Sequence, residues 1–278
     1  MIVNAANFQR YFATYGLATI WGDNLASTTI SATTAWPKKL GETEVFGNDV
    51  PLGLLFVSPT QINFQLSNNT GTVNIRVVNG PNRNPASFAI DVQSRWPAIF
   101  EMGYDCAYNP LWNDPSPCGL SARRTHEQQP TRGAVTDPDG NLLLSSAPAR
   151  LNGTYTVWFT GLGGPPAVNP PPPSYWPEAY VGGLPHGGLK YLTITYVGQS
   201  QFPGLYQMNF RIPPEIMGSL YPSGEDTRPT CADYRIELSL FISSSSTNRL
   251  TSLPVQIPLL AKNGEFSCLP SVRTGRPR

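Results

Sequence analysis

Apolar residues recur at every second position in several short runs of the chain. Val73, Ile75 and Val77 alternate with polar neighbours, as do Tyr234, Ile236, Leu238 and Leu240. A period of two turns one face of a strand toward a core and the other toward solvent. Phe88-Ala89-Ile90-Asp91-Val92 and Val255-Gln256-Ile257-Pro258-Leu259 read the same way. Pro258 has no N–H for a ladder, so it predicts an edge position for its strand. A helical turn is expected at Pro213-Pro214-Glu215-Ile216-Met217, and no stretch shows the periodicity of an amphipathic helix. Turn formers punctuate the runs at Gly47-Asn48, Asn69-Thr70-Gly71, Asn79-Gly80-Pro81, Asp139-Gly140-Asn141 and Ser223-Gly224. Short strands separated in this way predict an all-β protein of the sandwich type.

The chain also repeats itself. Thr19-Ile20-Trp21 followed by Leu25 is matched by Thr156-Val157-Trp158 followed by Leu162. Gln61-Ile62-Asn63-Phe64-Gln65-Leu66 is echoed by Gln207-Met208-Asn209-Phe210-Arg211-Ile212, each copy preceded by a turn proline, Pro59 or Pro203. Two matches in the same order at similar separation point to duplication, and hence to two tandem sandwiches of similar topology. The expected layout is a first sandwich over residues 1–100, a connector carrying Cys and Pro over 101–132, and a second sandwich over 133–278. The second sandwich holds a polyproline insertion at 165–177, which is stiff and extended. It reads either as a rigid stand-off loop or as a spacer laid over the sheet by Tyr175 and Trp176.

Composition narrows the functional classes. The 278 residues include 25 Gly and 29 Pro, only 13% are charged, and the net charge is +1. So little charge does not suit long solvated helices, and a near-neutral balance excludes nucleic acid as the main partner, because phosphate binding needs a clustered Lys/Arg excess. No window is long and apolar enough for a transmembrane helix. Residues 1–7 lack a basic region leading into an apolar stretch, so no secretory signal is expected there. Lys38, Lys39, Lys190 and Lys262 are the only lysines, while Ser, Thr, Asn and Gln do the solvating. That balance suits an extracellular or cell-surface protein.

Candidate chemistry is sparse. Cys106, Cys118, Cys231 and Cys268 form no C-x-x-C pair, and with His126 and His186 in unrelated segments they do not make a metal site; no metal and no cofactor are expected. Four cysteines allow three disulfide pairings, of which Cys106–Cys118 with Cys231–Cys268 keeps each bridge within one unit. Neither histidine stands beside a G-x-S-x-G elbow. A pair of carboxylates for glycoside hydrolysis could come together through the fold, from Asp23, Glu42, Glu44, Asp49, Glu178, Glu215, Glu225 and Asp226. Asp137-Pro138-Asp139-Gly140-Asn141 resembles half of a calcium loop, but it has no later bidentate glutamate and reads better as a turn. Trp21 and Trp158 hold equivalent strand positions and are expected in the core or between sheets. Tyr108, Trp112, Tyr175 and Trp176 are candidate binding-loop aromatics.

Several ordered motifs look familiar. Val3-Asn4-Ala5-Ala6-Asn7-Phe8, Ile20-Trp21-Gly22-Asp23-Asn24-Leu25, Phe56-Val57-Ser58-Pro59-Thr60-Gln61-Ile62-Asn63-Phe64, Pro97-Ala98-Ile99-Phe100, Thr160-Gly161-Leu162-Gly163 and Pro203-Gly204-Leu205-Tyr206-Gln207-Met208-Asn209 resemble the uncharacterised Solibacter-type C-terminal domain family across nearly the whole chain. The strand-turn motif is also similar to that of IPT/TIG immunoglobulin-like domains. The resemblance implies an immunoglobulin-like sandwich fold and a C-terminal module of secreted or surface proteins of acidobacteria and similar environmental bacteria, with no activity assigned to the family. The cysteine-bearing connector and the polyproline insertion depart from that family's pattern. The resulting expectation is a noncatalytic extracellular protein serving adhesion, display or structural assembly, with protein or glycan surface partners. Three alternatives stand beside it. One is a self-associating fibre subunit that exchanges a strand containing Ile2, Val3 and Phe8. The others are a carbohydrate-binding accessory module and a glycan-active enzyme.

Overall fold

The computed structural model describes residues 1–33, 36–80, 86–102, 132–144, 147–164, 170–171, 173, 176–182, 189–216, 234–243, 249–252 and 254–260. The first half contributes β1 (Ile2–Asn4), β2 (Phe12–Ala13), β3 (Leu17–Trp21), β4 (Ile30–Ser31), β5 (Lys39–Leu40), β6 (Thr43–Gly47), β7 (Val50–Pro51), β8 (Gly53–Val57), β9 (Gln61–Gln65), β10 (Gly71–Asn79) and β11 (Ala86–Gln93). One sheet runs β1-β3-β9-β8-β4 and the other β2-β11-β10-β6-β5, with β7 beside β6. Their inner faces meet in one apolar cluster: Ile20, Leu54, Val57, Ile62 and Phe64 from the first sheet, Val45, Val73, Ile75 and Val92 from the second. The alternation of β10 is the source of its share, since Val73, Ile75 and Val77 are buried while Thr72 and Asn74 are exposed.

The second half supplies β12 (Ala98–Ile99), β13 (Glu101–Met102), β14 (Arg132–Gly133), β15 (Val135–Thr136), β16 (Ala149–Arg150), β17 (Thr154–Thr160), β18 (Glu178–Gly182), β19 (Lys190–Tyr191), β20 (Thr193–Gln199), β21 (Tyr206–Arg211), a 3-10 turn at Pro214–Ile216, β22 (Tyr234–Ser243), β23 (Arg249–Thr251) and β24 (Val255–Leu260). The sheets are β12-β17-β21-β20, with β15 also on β17, and β13-β14-β24-β22-β18-β19, with β16 on β24 and β23 on β22. Val157, Phe159, Met208, Phe210, Leu238, Leu240 and Ile257 lie in the core between them.

The two halves share one topology. In each, strand A (β1; β12 with β15) pairs with B (β3; β17), E (β9; β21) and D (β8; β20) follow on that sheet, and a short A′ strand (β2; β16) crosses to run parallel to G (β11; β24) of the other sheet, which continues through F (β10; β22) to C (β6; β18). Phe12 and Ala13 sit against Val92 and Gln93 in the first copy, and Ala149 and Arg150 against Leu259 and Leu260 in the second. The order A-B-E-D facing A′-G-F-C is that of the immunoglobulin fold. The protein is all-β, two tandem immunoglobulin-like sandwiches built from an internal repeat.

Three expectations change. The first sandwich does not reach residue 100, because Ala98 and Ile99 pair with Thr160 and Phe159 and Ile99 is buried in the second core. The described ends of the 101–132 segment also pair within the second sandwich. β12 and β15 lie successively along the same β17, and Glu101–Met102 pairs with Arg132–Gly133, so the described residues at both ends of that segment belong to the second sandwich; residues 103–131 lie outside the described residues. Finally, β24 is interior rather than an edge. Pro258 stands opposite Arg235 of β22, and the strands on the other side pair elsewhere along β24, β14 at Gln256 and β16 at Leu259 and Leu260.

Candidate functional site: the junction between the sandwiches

The repeated sequence segments occupy the same register in both copies. Ile20 faces Ile62 as Val157 faces Met208, and Trp21 faces Gln61 as Trp158 faces Gln207. This register corrects the expectation for the two tryptophans. Ile20 and Val157 point inward, so with a period of two their neighbours Trp21 and Trp158 lie on the outer face; Trp21 is 36% exposed.

The outer face of the first sandwich near β3 meets the second sandwich through a continuous hydrogen-bonded seam. At its centre is Thr160, fully buried at the end of β17. Its Oγ1 accepts from Leu17 N at 3.1 Å and donates to Gly204 O at 2.7 Å. One hydroxyl thus satisfies a donor of the first sandwich and an acceptor of the second. Around it, Arg95 Nε donates to Leu162 O at 2.9 Å, Trp96 N to Gly161 O at 2.8 Å, and Glu101 N to Ala6 O at 2.8 Å. Tyr11 stacks on Trp96 with ring centroids 4.5 Å apart and planes within 6°.

Close approach of the two backbones depends on glycine. Gly161 has φ +83°, and a Cβ there would overlap the carbonyl oxygen of Trp96. Gly204 has φ +78°, and a Cβ would lie 2.5 Å from Tyr15 O. Tyr15 itself is held at φ +56°, its carbonyl taking Gln65 Nε2 at 3.0 Å and its N–H reaching Ser67 O at 3.0 Å. A non-glycine residue at positive φ persists only where its surroundings over-determine it, as these bonds do. The Thr160-Gly161-Leu162-Gly163 and Pro203-Gly204-Leu205 motifs are therefore joint-building segments. Sequence reading found them as motifs, but it had no signal that both would abut Leu17, Tyr15 and Trp96 on the far side of the joint.

The other sequence candidates scatter. Ile2 and Val3 are buried in β1, paired with Ile20 and Thr19 of the same chain, while Phe8 is 47% exposed at φ +58°. Trp176 packs against the second core and donates Nε1 to Pro171 O at 2.8 Å. Tyr108, Trp112, Tyr175, all four cysteines and both histidines lie outside the described residues, as do Glu225 and Asp226. Among the described carboxylates, Glu42 pairs with Lys39 at 3.2 Å and Asp49 with Arg76 at 3.1 Å, both at the surface. A cleft of about 200 Å³ beside Tyr15, Lys38, Gln65 and Asn68 is lined by no carboxylate. No group of three or more His, Cys, Asp or Glu that could hold a metal occurs among the described residues.

Asp137 closes a tight turn. Its Oδ1 accepts from the N–H groups of Asp139 at 3.0 Å and Asn141 at 2.8 Å, and its Oδ2 from Asn141 Nδ2 at 3.1 Å. The Asn141 side chain and the turn N–H groups hold this carboxyl below its ordinary value. The carboxylate serves the turn's own donors, in keeping with the turn reading of the segment. An aromatic group that the sequence did not single out sits on the outer face of the second sandwich: Tyr180, Tyr191 and Phe241 have ring centroids 5.6–6.5 Å apart, and Tyr191 is 58% exposed.

Fold and site together define a tandem immunoglobulin-like protein with a fixed joint. No family model matches the chain, and no curated protein matches it. Two solved structures, each described as a marsupial T cell receptor, are similar to it at 8% identity: one covers 93% of this chain and 72% of its own with a TM-score of 0.26, the other 95% and 73% with a TM-score of 0.28. The immunoglobulin-like assignment stands on the strand order and not on these likenesses. No described helix is long and apolar enough to cross a membrane.

Proposed function

We propose that the chain is a noncatalytic extracellular or cell-surface module in which two sandwiches act as one rigid body for adhesion, display or structural assembly. The observation that carries this reading is the buried Thr160 hydroxyl, bonded to both sandwiches at once. A flexible tether would leave such polar groups to water; here they are withdrawn from it and paired, which fixes the relative orientation of the halves. Rigidity of this kind suits a protein that holds a surface at a set distance and angle. The low charge and the Ser, Thr, Asn and Gln solvation support an extracellular setting. The resemblance of the ordered motifs to the Solibacter-type C-terminal domain family supports the same class.

Small-angle scattering tests this. The wild-type curve is expected to fit one conformer, and Thr160→Val to require an ensemble of orientations. A wild-type curve that itself demands an ensemble overturns the reading. The solvent-facing Tyr191 beside Tyr180 favours a carbohydrate-binding module as second reading, since aromatic faces stack on sugars. Retention on a glycan array that is lost in Tyr191→Ala would support it.

A further inference from the structure

Unpaired strand edges are a hazard that folded proteins blunt by shortening, bulging or charging them. Nearly every edge of the described sheets follows that rule. β1 has 3 residues, and β4, β5, β12, β13 and β19 have 2 each. The longer β20 carries a bulge at Ile194/Tyr196.

β11 is the exception. It is 8 residues long and holds an unbroken antiparallel register with β10 from Val92 opposite Gly71 to Ala86 opposite Val77. On its other side β2 pairs only with Val92 and Gln93. Residues 86–91 therefore offer a regular backbone edge to which no described strand is added. Asp91 is the single charged residue along it, and it contains no proline.

Two further observations mark this edge as an acceptor. Phe88 and Ile90 face Ile75 and Val73 and so lie on the core side of the sheet, yet Phe88 is 40% exposed and Ile90 is only partly buried. The core is left open where the edge is open. In the second sandwich the equivalent strand, β24, is covered along this side by β14 and β16. The duplicate thus shows the same position filled from within the chain.

We infer that the free edge of β11 pairs with the same edge of a second copy, antiparallel about a two-fold axis at Ala89. In that register Phe88 of each copy stands opposite Ile90 of the other, completing the core side of both sheets. Asp91 stands opposite Ser87, a hydroxyl that can donate to it, and Ala89 opposite Ala89. No like charges meet, so the edge is complementary to itself, as an isologous interface requires. A two-fold pairing also consumes residues 87–91 of the edge in both copies and yields a closed dimer. This surface is separate from the joint at Thr160, and its test is independent of the reading above.

The test is sedimentation velocity on the full chain between about 1 μM and about 200 μM, the range in which a small interface changes occupancy. Wild type is expected to shift from monomer to dimer across it. Ala89 is solvent-facing, so Ala89→Lys and Ala89→Glu should fold, as checked by circular dichroism. Each alone is expected to stay monomeric, because like charges oppose across the axis, whereas an equimolar mixture recovers the dimer. Ser87→Lys, set against Asp91, is expected to tighten association several-fold. A wild type that remains monomeric throughout the range overturns the proposal, as does dimerisation unchanged in Ala89→Lys or a mixture that fails to pair.

Discussion

Thr156 and Asn209 stand directly opposite each other on antiparallel neighbours, the threonine hydroxyl donating to the asparagine Oδ1 at 2.9 Å. Thr19 and Asn63 do the same in the other sandwich at 3.0 Å, in the same register. Both pairs lie on the face of the B and E strands that turns away from the core. The Thr-x-Trp and Gln-x-Asn-Phe segments repeat together because each contributes half of this contact. A cross-strand side-chain pair of this kind contributes about 0.5–1 kcal/mol. A double-mutant cycle with Thr156→Val and Asn209→Ala is expected to return a coupling of about that size in urea unfolding. A coupling of zero would show that the repeated residues do not act as a pair.

Thr160 tests the joint. Valine keeps the shape of the side chain and removes the hydroxyl, leaving Leu17 N–H and Gly204 C=O without it in a buried seam. Thr160→Val is expected to cost about 2 kcal/mol, since each orphaned buried group carries a desolvation penalty of about 1–3 kcal/mol. Calorimetry should also show one unfolding transition in wild type resolving toward two in the variant. A single transition with unchanged Tm would argue against coupling through this hydroxyl.

Two glycines separate backbone strain from collision. Gly140 has φ +86° with nothing within 4 Å of a Cβ, so Gly140→Ala is expected to cost only the conformational penalty of about 1 kcal/mol. Gly161 has a similar φ of +83°, but there the added methyl meets Trp96 O. Gly161→Ala should cost several-fold more and disturb the joint itself. Chemical denaturation of the two variants side by side decides this, and equal losses would refute the distinction.

Asp137 gives the chain an acid-sensitive turn. Its folded pKa lies below the ordinary 3.8 because the ionised form accepts the turn's donors. A depressed folded value means that the stabilisation is fully present above the unfolded pKa and is lost as pH falls through the folded one. The Asn141 and Asp139 amide resonances should therefore titrate together below pH 3.8. In Asp137→Asn that titration should disappear. A titration at or above the ordinary carboxylate value would contradict the hydrogen-bond account.

Much of the fold was legible in the residues, and the reasons can be traced. Period-two alternation located β10 and the buried part of β22, because burial on one face of a pleated strand leaves that trace in any sequence. The duplicated segments announced two copies. The tryptophans misled because a large aromatic ring in a strand reads as core until its phase relative to neighbours is known. Ile20 and Val157 fix that phase, and Trp21 and Trp158 fall on the other side. The extent of the first sandwich misled for a different reason. A short strand such as Ala98–Ile99 carries no mark of which sheet it joins, and only its pairing with β17 assigns it.

The sequence by itself determined the class: an all-β chain in two copies, rich in turns, low in charge, with no obvious catalytic constellation. Those properties are local or additive, set by periodicity, turn chemistry and composition. Tertiary structure alone decided that Leu17, Arg95, Thr160 and Gly204, far apart in the chain, meet in one seam, and that among the described strands none covers residues 86–91 of β11 where its duplicate β24 is covered. Such contacts depend on register and on how one sandwich is placed against the other, quantities for which a linear pattern holds no term.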